Sequence, residues 1–204
     1  MDGIYKTGGM LAVVLTGGKS SRMGRDKAML PAFGKPMAQA LLDRFRDAGF
    51  DTAVSVGEAG RFPLEAGTEL PDAFPGQGPM NGIYAAFSRT DAESILLTAT
   101  DLPNGEPALA RRLEALRGEN DVCVIRRADG TAETLFGVYS RACFRRAEEC
   151  LRSGKRSLLA VLDVMRVRYV EESELPEWDL RRILRNVNTP EEYEKFRAED
   201  EAKA

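Results

Sequence analysis

Apolar residues along this chain fall into two spacings that alternate with one another. Leu11-Ala-Val-Val-Leu15 is an unbroken apolar run of strand length, as expected for a strand covered on both faces. After a glycine-rich stretch, Met37, Ala40, Leu41, Phe45 and Ala48 recur at helical spacing, predicting a helix over 36–48 that Gly49 ends. Positions 52–56 predict a second strand. The Gly- and Pro-rich stretch 57–79 reads as a long loop with a short strand near Glu69. A helix over 81–88 and a buried strand over 94–98 follow, the strand running into Thr100-Asp101-Leu102-Pro103. Pro107 opens a helix with Leu109, Leu113 and Leu116 on one face.

Beyond that point the alternation changes. Positions 121–125 and 134–139 read as strands flanking a turn at Asp129-Gly130, followed by helices over 141–151 and 157–162. Positions 166–170 alternate like an outer strand, and a last helix starts at Pro190, with the charged tail from Ala198 expected to fray. Strands alternating with helices predict an α/β layer fold with a mainly parallel sheet, to which 121–170 adds antiparallel strands. No internal repeat or linker interrupts the pattern, so one domain is expected over 10–197, with 1–9 and 198–204 as terminal segments. In such sheets ligands bind beyond the carboxyl ends of the strands, which directs attention to the loops after Leu15, Val56 and Thr98.

Composition narrows the chemistry more than the class. Of 204 residues 43% are apolar and 30% charged, enough for an ordinary core. The net charge is -3 with both signs mixed, so long nucleic acid is not an expected partner, whereas a small anionic ligand is compatible. No apolar run approaches the roughly 20 residues of a membrane span, and the first nine residues lack a signal-peptide core. A cytoplasmic protein without membrane contact is expected. Cys123, Cys143 and Cys150 form no CxxC pair, and the last two share a helical face as small core hydrophobes. The chain has no histidine. That excludes a Ser-His-Asp triad, a histidine base and His-containing zinc sites, leaving carboxylates, lysine, arginine, backbone amides and a bound metal.

The first loop reads Leu15-Thr16-Gly17-Gly18-Lys19-Ser20-Ser21-Arg22-Met23-Gly24-Arg25-Asp26-Lys27. Adjacent glycines let backbone N–H groups approach a phosphate or a base edge, and Arg22 and Lys27 suit a triphosphate. The alternative is a surface turn with solvated charges. It is neither a P-loop, since Gly24 is followed by Arg25-Asp26, nor the dinucleotide fingerprint, since Gly17 and Gly18 are adjacent. Asp101 is delivered to the sheet edge by the strand before it, where it either ligates a hard cation or satisfies backbone N–H groups of its turn. Asp72 lies in a loop where aspartate is common for turn reasons alone. Thr189 with Glu192 forms a capping box and Pro190 takes the first helical position, which leaves Asn186 and Asn188 unexplained.

The run Leu15-Thr-Gly-Gly-Lys-Ser-Ser-Arg-Met-Gly24 through Asp26-Lys27 resembles the signature of the molybdenum cofactor guanylyltransferase family. The resemblance continues at Gly34-Lys35-Pro36, Gly78-Pro79-Met80-Asn81-Gly82, Thr100-Asp101-Leu102-Pro103, Gly154-Lys155-Arg156-Ser157 and Asn186-Val-Asn188-Thr189-Pro190. It implies a three-layer Rossmann-like nucleotidyltransferase fold with a mainly parallel mixed sheet. It further implies transfer of GMP from GTP to the phosphate of molybdopterin, with Mg2+ as cofactor, and leaves room for transient contact with cofactor-synthesis or molybdoenzyme proteins. By resemblance, Leu15, Gly17 and Gly18 contact guanine and ribose, Lys27 the phosphates, and Asp72 lies near the nucleotide. Asp101 holds the magnesium, and Asn186 and Asn188 face the pterin.

Thr16 and Ser55 are carried as nucleotide-binding positions although the family usually has alanine and asparagine there, and Thr134 stands where a proline is usual. Arg156, beside Gly154, either meets an acceptor phosphate or serves a solvated helix cap. Two rivals stay open: cytidylyl or other nucleotidyl transfer to molybdopterin or a sugar phosphate, and a non-catalytic protein that binds a nucleotide or pterin.

Overall fold

A computed structural model describes residues 4–16, 26–60 and 67–201. In chain order the strands and helices are β1 (Leu11–Leu15), β2 (Pro31–Ala32), β3 (Lys35–Pro36), α1 (Met37–Asp47), β4 (Asp51–Val56), β5 (Thr68–Pro71), α2 (Met80–Arg89) and β6 (Ser94–Ala99). There follow α3 (Pro107–Arg117), β7 (Val122–Arg126), β8 (Ala132–Ser140), α4 (Cys143–Arg152), α5 (Leu159–Leu162), β9 (Val167–Glu171), α6 (Leu180–Ile183) and α7 (Pro190–Glu201).

Seven strands form one sheet in the order β5-β4-β1-β6-β8-β7-β9. β5, β4, β1 and β6 run parallel, β8 is antiparallel to both β6 and β7, and β9 returns parallel to β7. The mixed half that the sequence places within 121–170 is therefore β8 inserted between β6 and β7. All five residues of β1 are buried because alternate side chains feed opposite faces. Ala12 and Val14 pack with Leu41, Leu42 and Phe45 of α1 and Leu109 and Leu113 of α3. Leu11, Val13 and Leu15 pack with Ile83 and Phe87 of α2 and with Cys143, Ala147 and Cys150 of α4. The result is the three-layer, Rossmann-like arrangement, with helices on both faces of a mainly parallel sheet.

Two terminal stretches do more than the sequence pattern suggests. Tyr5 runs alongside Thr90, its N–H donating to Arg89 O (2.9 Å), and Thr7 N–H donates to Asp91 Oδ1 (2.8 Å). At the other end α7 continues as helix to Glu201, past the Ala198 where fraying was expected. Asp200 accepts from Phe33 N–H (2.7 Å), and Arg185 forms a two-pronged pair with Glu199 (2.8 Å each), so this turn is held by tertiary contacts.

Candidate active site

The chain passes from β1 to β4 and β5 on one side and then crosses to β6 on the other, so strand order switches beside β1. Beyond the carboxyl ends of these strands lies a cleft of about 740 Å³, the size of a small-ligand site. Leu15, Ser55, Val56 and Ala99 form its sheet-edge floor. Hydrogen bonds extend the ladder past the strands. Thr16 donates to Ser55 O from its N–H (3.1 Å) and its Oγ1 (2.8 Å), Thr100 N–H to Leu15 O (3.1 Å) and Asp72 N–H to Val56 O (2.9 Å). Gly82, in the first turn of α2, lies so close to Leu15 that a Cβ there would collide with Leu15 Cδ2. The glycine thus keeps Leu15 packed at the floor.

Asp101 follows β6 at the cleft wall. Its Oδ1 is buried with no hydrogen-bond partner. Burial pushes the carboxyl up from its ordinary range, Lys27 and the residue's own backbone N–H pull it down, and Glu133 adds a smaller upward push. A buried, orphaned carboxylate oxygen at a cleft fits a hard divalent cation, which would supply the missing partner. Among the described residues no group of three or more acidic or cysteine side chains gathers for a metal. Asp101 would then hold such a cation with substrate oxygens and water completing the shell.

Lys27 opens a short 3-10 turn, Lys27–Met29, capped by the Asp26 side chain. Its Nζ donates to Asn188 Oδ1 (2.6 Å). A small core explains how two such distant residues meet: Leu30, Ala32, Met37 and Ala40 pack with Val187, Tyr193 and Phe196. Val187 N–H donates to Asp101 O (2.8 Å), and Tyr193 OH donates to Pro31 O (2.8 Å). The expected capping box is present, with Glu192 N–H donating to Thr189 Oγ1 (3.2 Å) and Thr189 N–H to Glu192 Oε2 (3.0 Å). The same carboxylate also accepts from Asn188 N–H (2.6 Å), fixing the backbone that aims Asn188 at Lys27.

Arg156 borders the cleft from the loop between α4 and α5, its Nε donating to Gln77 Oε1 (3.0 Å). Ser157 rather than Arg156 serves the start of α5, accepting from Leu159 N–H (3.2 Å). Asp72 also lines the cleft, and burial pushes its carboxyl up to about 6.

The cleft therefore brings together Leu15, Thr16, Lys27, Ser55, Asp72, Asp101, Arg156 and Asn188. Asn186 is exposed and is not among the described residues that border it. Gly17, Gly18 and Arg22 lie outside the described residues. The sequence reading missed Val56, Gly57, Gly76, Ala99 and Leu135 as lining residues, and Thr100 appeared only within the motif around Asp101. Gly78 and Pro79 also line it and were visible as part of a glycine-proline motif, whereas nothing local marks Leu135, which arrives on the antiparallel strand β8. A second hollow of about 650 Å³ lies at the opposite edge of the sheet, beside the starts of β7 and β9, where Arg166 and Arg146 already pair with Asp121 (3.2 Å) and Glu149 (2.5 Å).

A switch-point cleft with a carboxylate suited to a cation and a lysine beside it defines the class: a nucleotidyltransferase on a Rossmann-like sheet. The model of the MobA-like NTP transferase domain matches residues 12–169, and the chain belongs to that family. A protein of Pelotomaculum thermopropionicum named probable molybdenum cofactor guanylyltransferase is 34% identical over 189 residues, spanning 91% of this chain and 90% of that one. Among solved structures, molybdopterin-guanine dinucleotide biosynthesis protein A of Archaeoglobus fulgidus superposes with a TM-score of 0.78 at 23% identity, covering 95% of this chain and 98% of that one. A Mycobacterium tuberculosis protein in complex with manganese gives 0.60 at 20% identity, covering 92% and 97%. These two likenesses speak to the fold.

Proposed function

We propose that this enzyme transfers GMP from GTP to the terminal phosphate of molybdopterin, releasing pyrophosphate, with Mg2+ as the physiological cation. The observation that carries the reading is the meeting of Lys27, Asp101, Arg156 and Asn188 in one cleft. Relatives named for guanylyl transfer support GTP over CTP. A structural neighbour holding manganese supports a divalent cation.

The acceptor phosphate monoester has a second pKa of about 6 and is largely dianionic at neutral pH. Its oxygen attacks the α-phosphorus of GTP while the bond to the β-phosphate bridging oxygen breaks, and the electron pair leaves with pyrophosphate. No side chain need remove a proton, which accords with a chain that has no histidine. The remaining task is to bring two anions together. Lys27 Nζ, oriented by Asn188, neutralises phosphate charge, and the Arg156 guanidinium receives the acceptor's phosphate. Asp101 would hold the cation, which would supply positive charge to offset that on the phosphates. The floor at Leu15, Thr16 and Ser55 seats the nucleoside.

No helix among the described residues is long and apolar enough to cross a membrane. The three cysteines are free and buried thiols, in keeping with a reducing compartment, and we place the enzyme in the cytoplasm. The deciding experiment incubates the enzyme with molybdopterin, Mg2+ and GTP, CTP or UTP in parallel and identifies products by mass. A guanine dinucleotide formed well above the other two is expected. Equal or greater product from CTP would overturn the guanine assignment, and no dinucleotide from any of them would overturn the acceptor.

A further inference from the structure

We propose that Asn81 is a positioning residue: its carboxamide latches the turn at residues 74–77, fixing the cleft wall that carries Asp72 and meets Arg156. The inference rests on the nucleotide-and-acceptor reading of that cleft. Asn81 is 1% exposed in the first turn of α2, a place where alanine would favour the helix more. Its Oδ1 accepts from Phe74 N–H (3.1 Å) and its Nδ2 donates to Phe74 O (2.5 Å). One side chain thereby pairs both backbone groups of one residue, as a neighbouring strand would.

Phe74 opens a tight turn. Gln77 N–H donates to Phe74 O (3.2 Å), Pro75 and Gly76 occupy the central positions, and Gly76 sits at φ 74°. Proline then glycine in that order is the pattern of a type II turn, whose second central residue needs a positive φ. Phe74 O thus uses both lone pairs, one for the turn and one for Asn81. The Phe74 ring packs edge-on against Tyr84 (5.3 Å), which in turn lies 5.2 Å from Phe144, tying the turn to α2 and α4. Two residues before Phe74 is Asp72, and three after it is Gln77, the hydrogen-bond acceptor of Arg156 (3.0 Å). The latch therefore sits between the residue read as nucleotide-binding and the residue read as acceptor-binding.

Removing the carboxamide leaves two backbone groups of a partly buried residue without their partner and frees the turn. Ligand binding must then reorder it, at a cost on the order of one buried hydrogen bond, or about tenfold in affinity. The test compares wild type, Asn81→Ala and Asn81→Asp, which keeps the acceptor oxygen and loses the donor. It measures hydrogen exchange of the 72–79 segment, thermal unfolding, and kcat and KM for GTP and for molybdopterin separately. Exchange in that segment of Asn81→Ala should quicken about tenfold while β1 and β6 stay protected. KM for GTP should rise about tenfold with kcat changed by less than about threefold, and Asn81→Asp should fall between. Unchanged exchange would sink the latch, and faster exchange with an unchanged KM for GTP would sink its positioning role. Should Asn81→Ala not fold, Asn81→Asp carries the same comparison. Wild type that shows no turnover or saturation with GTP in these kinetics would instead bring down the nucleotide reading itself, before any substitution is considered.

Discussion

One wall of the cleft is made by the sheet, and the other by segments that meet only in the folded molecule. Leu15, Ser55 and Ala99 lie at the carboxyl ends of three adjacent parallel strands, and their registers pair Leu15 with both Ser55 and Ala99. Any sequence that forms β1, β4 and β6 in this order places them side by side. The facing wall has no such guarantee. Lys27 and Asn188 are separated by 161 positions and touch through one hydrogen bond, made possible by the small core under β2, β3 and α7. The lesson is one of division: the sheet gives the floor residues and Asp101 a placement set by strand register, while the charge of Lys27 is aimed by long-range packing.

Three substitutions probe that division, beginning with the sheet edge. Asp101→Ala should lower pyrophosphate release by about 10³-fold or more, as expected when a cation's anchor is lost. Its circular dichroism should match wild type, because Oδ1 holds no hydrogen bond that folding depends on. Near-normal, cation-dependent turnover would remove Asp101 from the chemistry.

On the facing wall, Lys27→Ala should cost about 10²-fold in kcat, and Asn188→Ala only about tenfold, since it leaves the ammonium present but unaimed. Steady-state kinetics of both decide it. Equal losses would mean that Asn188 does more than orient Lys27.

The smallest effect concerns stability. The Asp72 carboxyl is pushed up to about 6 by burial. Against an unfolded value of about 3.9, the folded state holds the proton longer, so stability falls as pH rises from about 4 to 6. Asp72→Asn removes that penalty. At pH 7.5 it should gain on the order of 1 kcal/mol after discounting for half exposure, or about 2–4 °C in Tm, and the gain should vanish near pH 4. Thermal melts at the two pH values check this. A lower Tm at pH 7.5 would show that the ionised carboxylate is compensated rather than strained.

Much of this was legible in the chain because burial writes periodicity into it. The strands at β1, β4 and β6 and the helices α1 to α4 are long enough to show a spacing, and Asp101 follows a short apolar run of the length expected for a covered strand. β2, β3 and α6 were not visible, being too short to carry any period. Phe33 illustrates why. It turns the β2–β3 ribbon at φ 51°, a conformation that a bulky residue avoids on its own. There it is held by Asp200 at its N–H, by the Phe196 ring at 5.5 Å and by the Arg44 guanidinium at 4.5 Å. Asn81 was visible only as one letter within a motif, since nothing in the chain says that its amide will meet Phe74.

The amino-acid sequence by itself determined the layered α/β class, the residue types available for catalysis and the loops that would carry them. Those follow from local spacing and from which side chains exist at all. Tertiary structure decided that Asn188 rather than Asn186 reaches the cleft, that Asp101 keeps an unpartnered oxygen there, and that burial raises the Asp72 carboxyl above its ordinary range. These depend on burial and on partners far away in the chain, and neither hydration nor distance is encoded in the identity of a residue and its immediate neighbours.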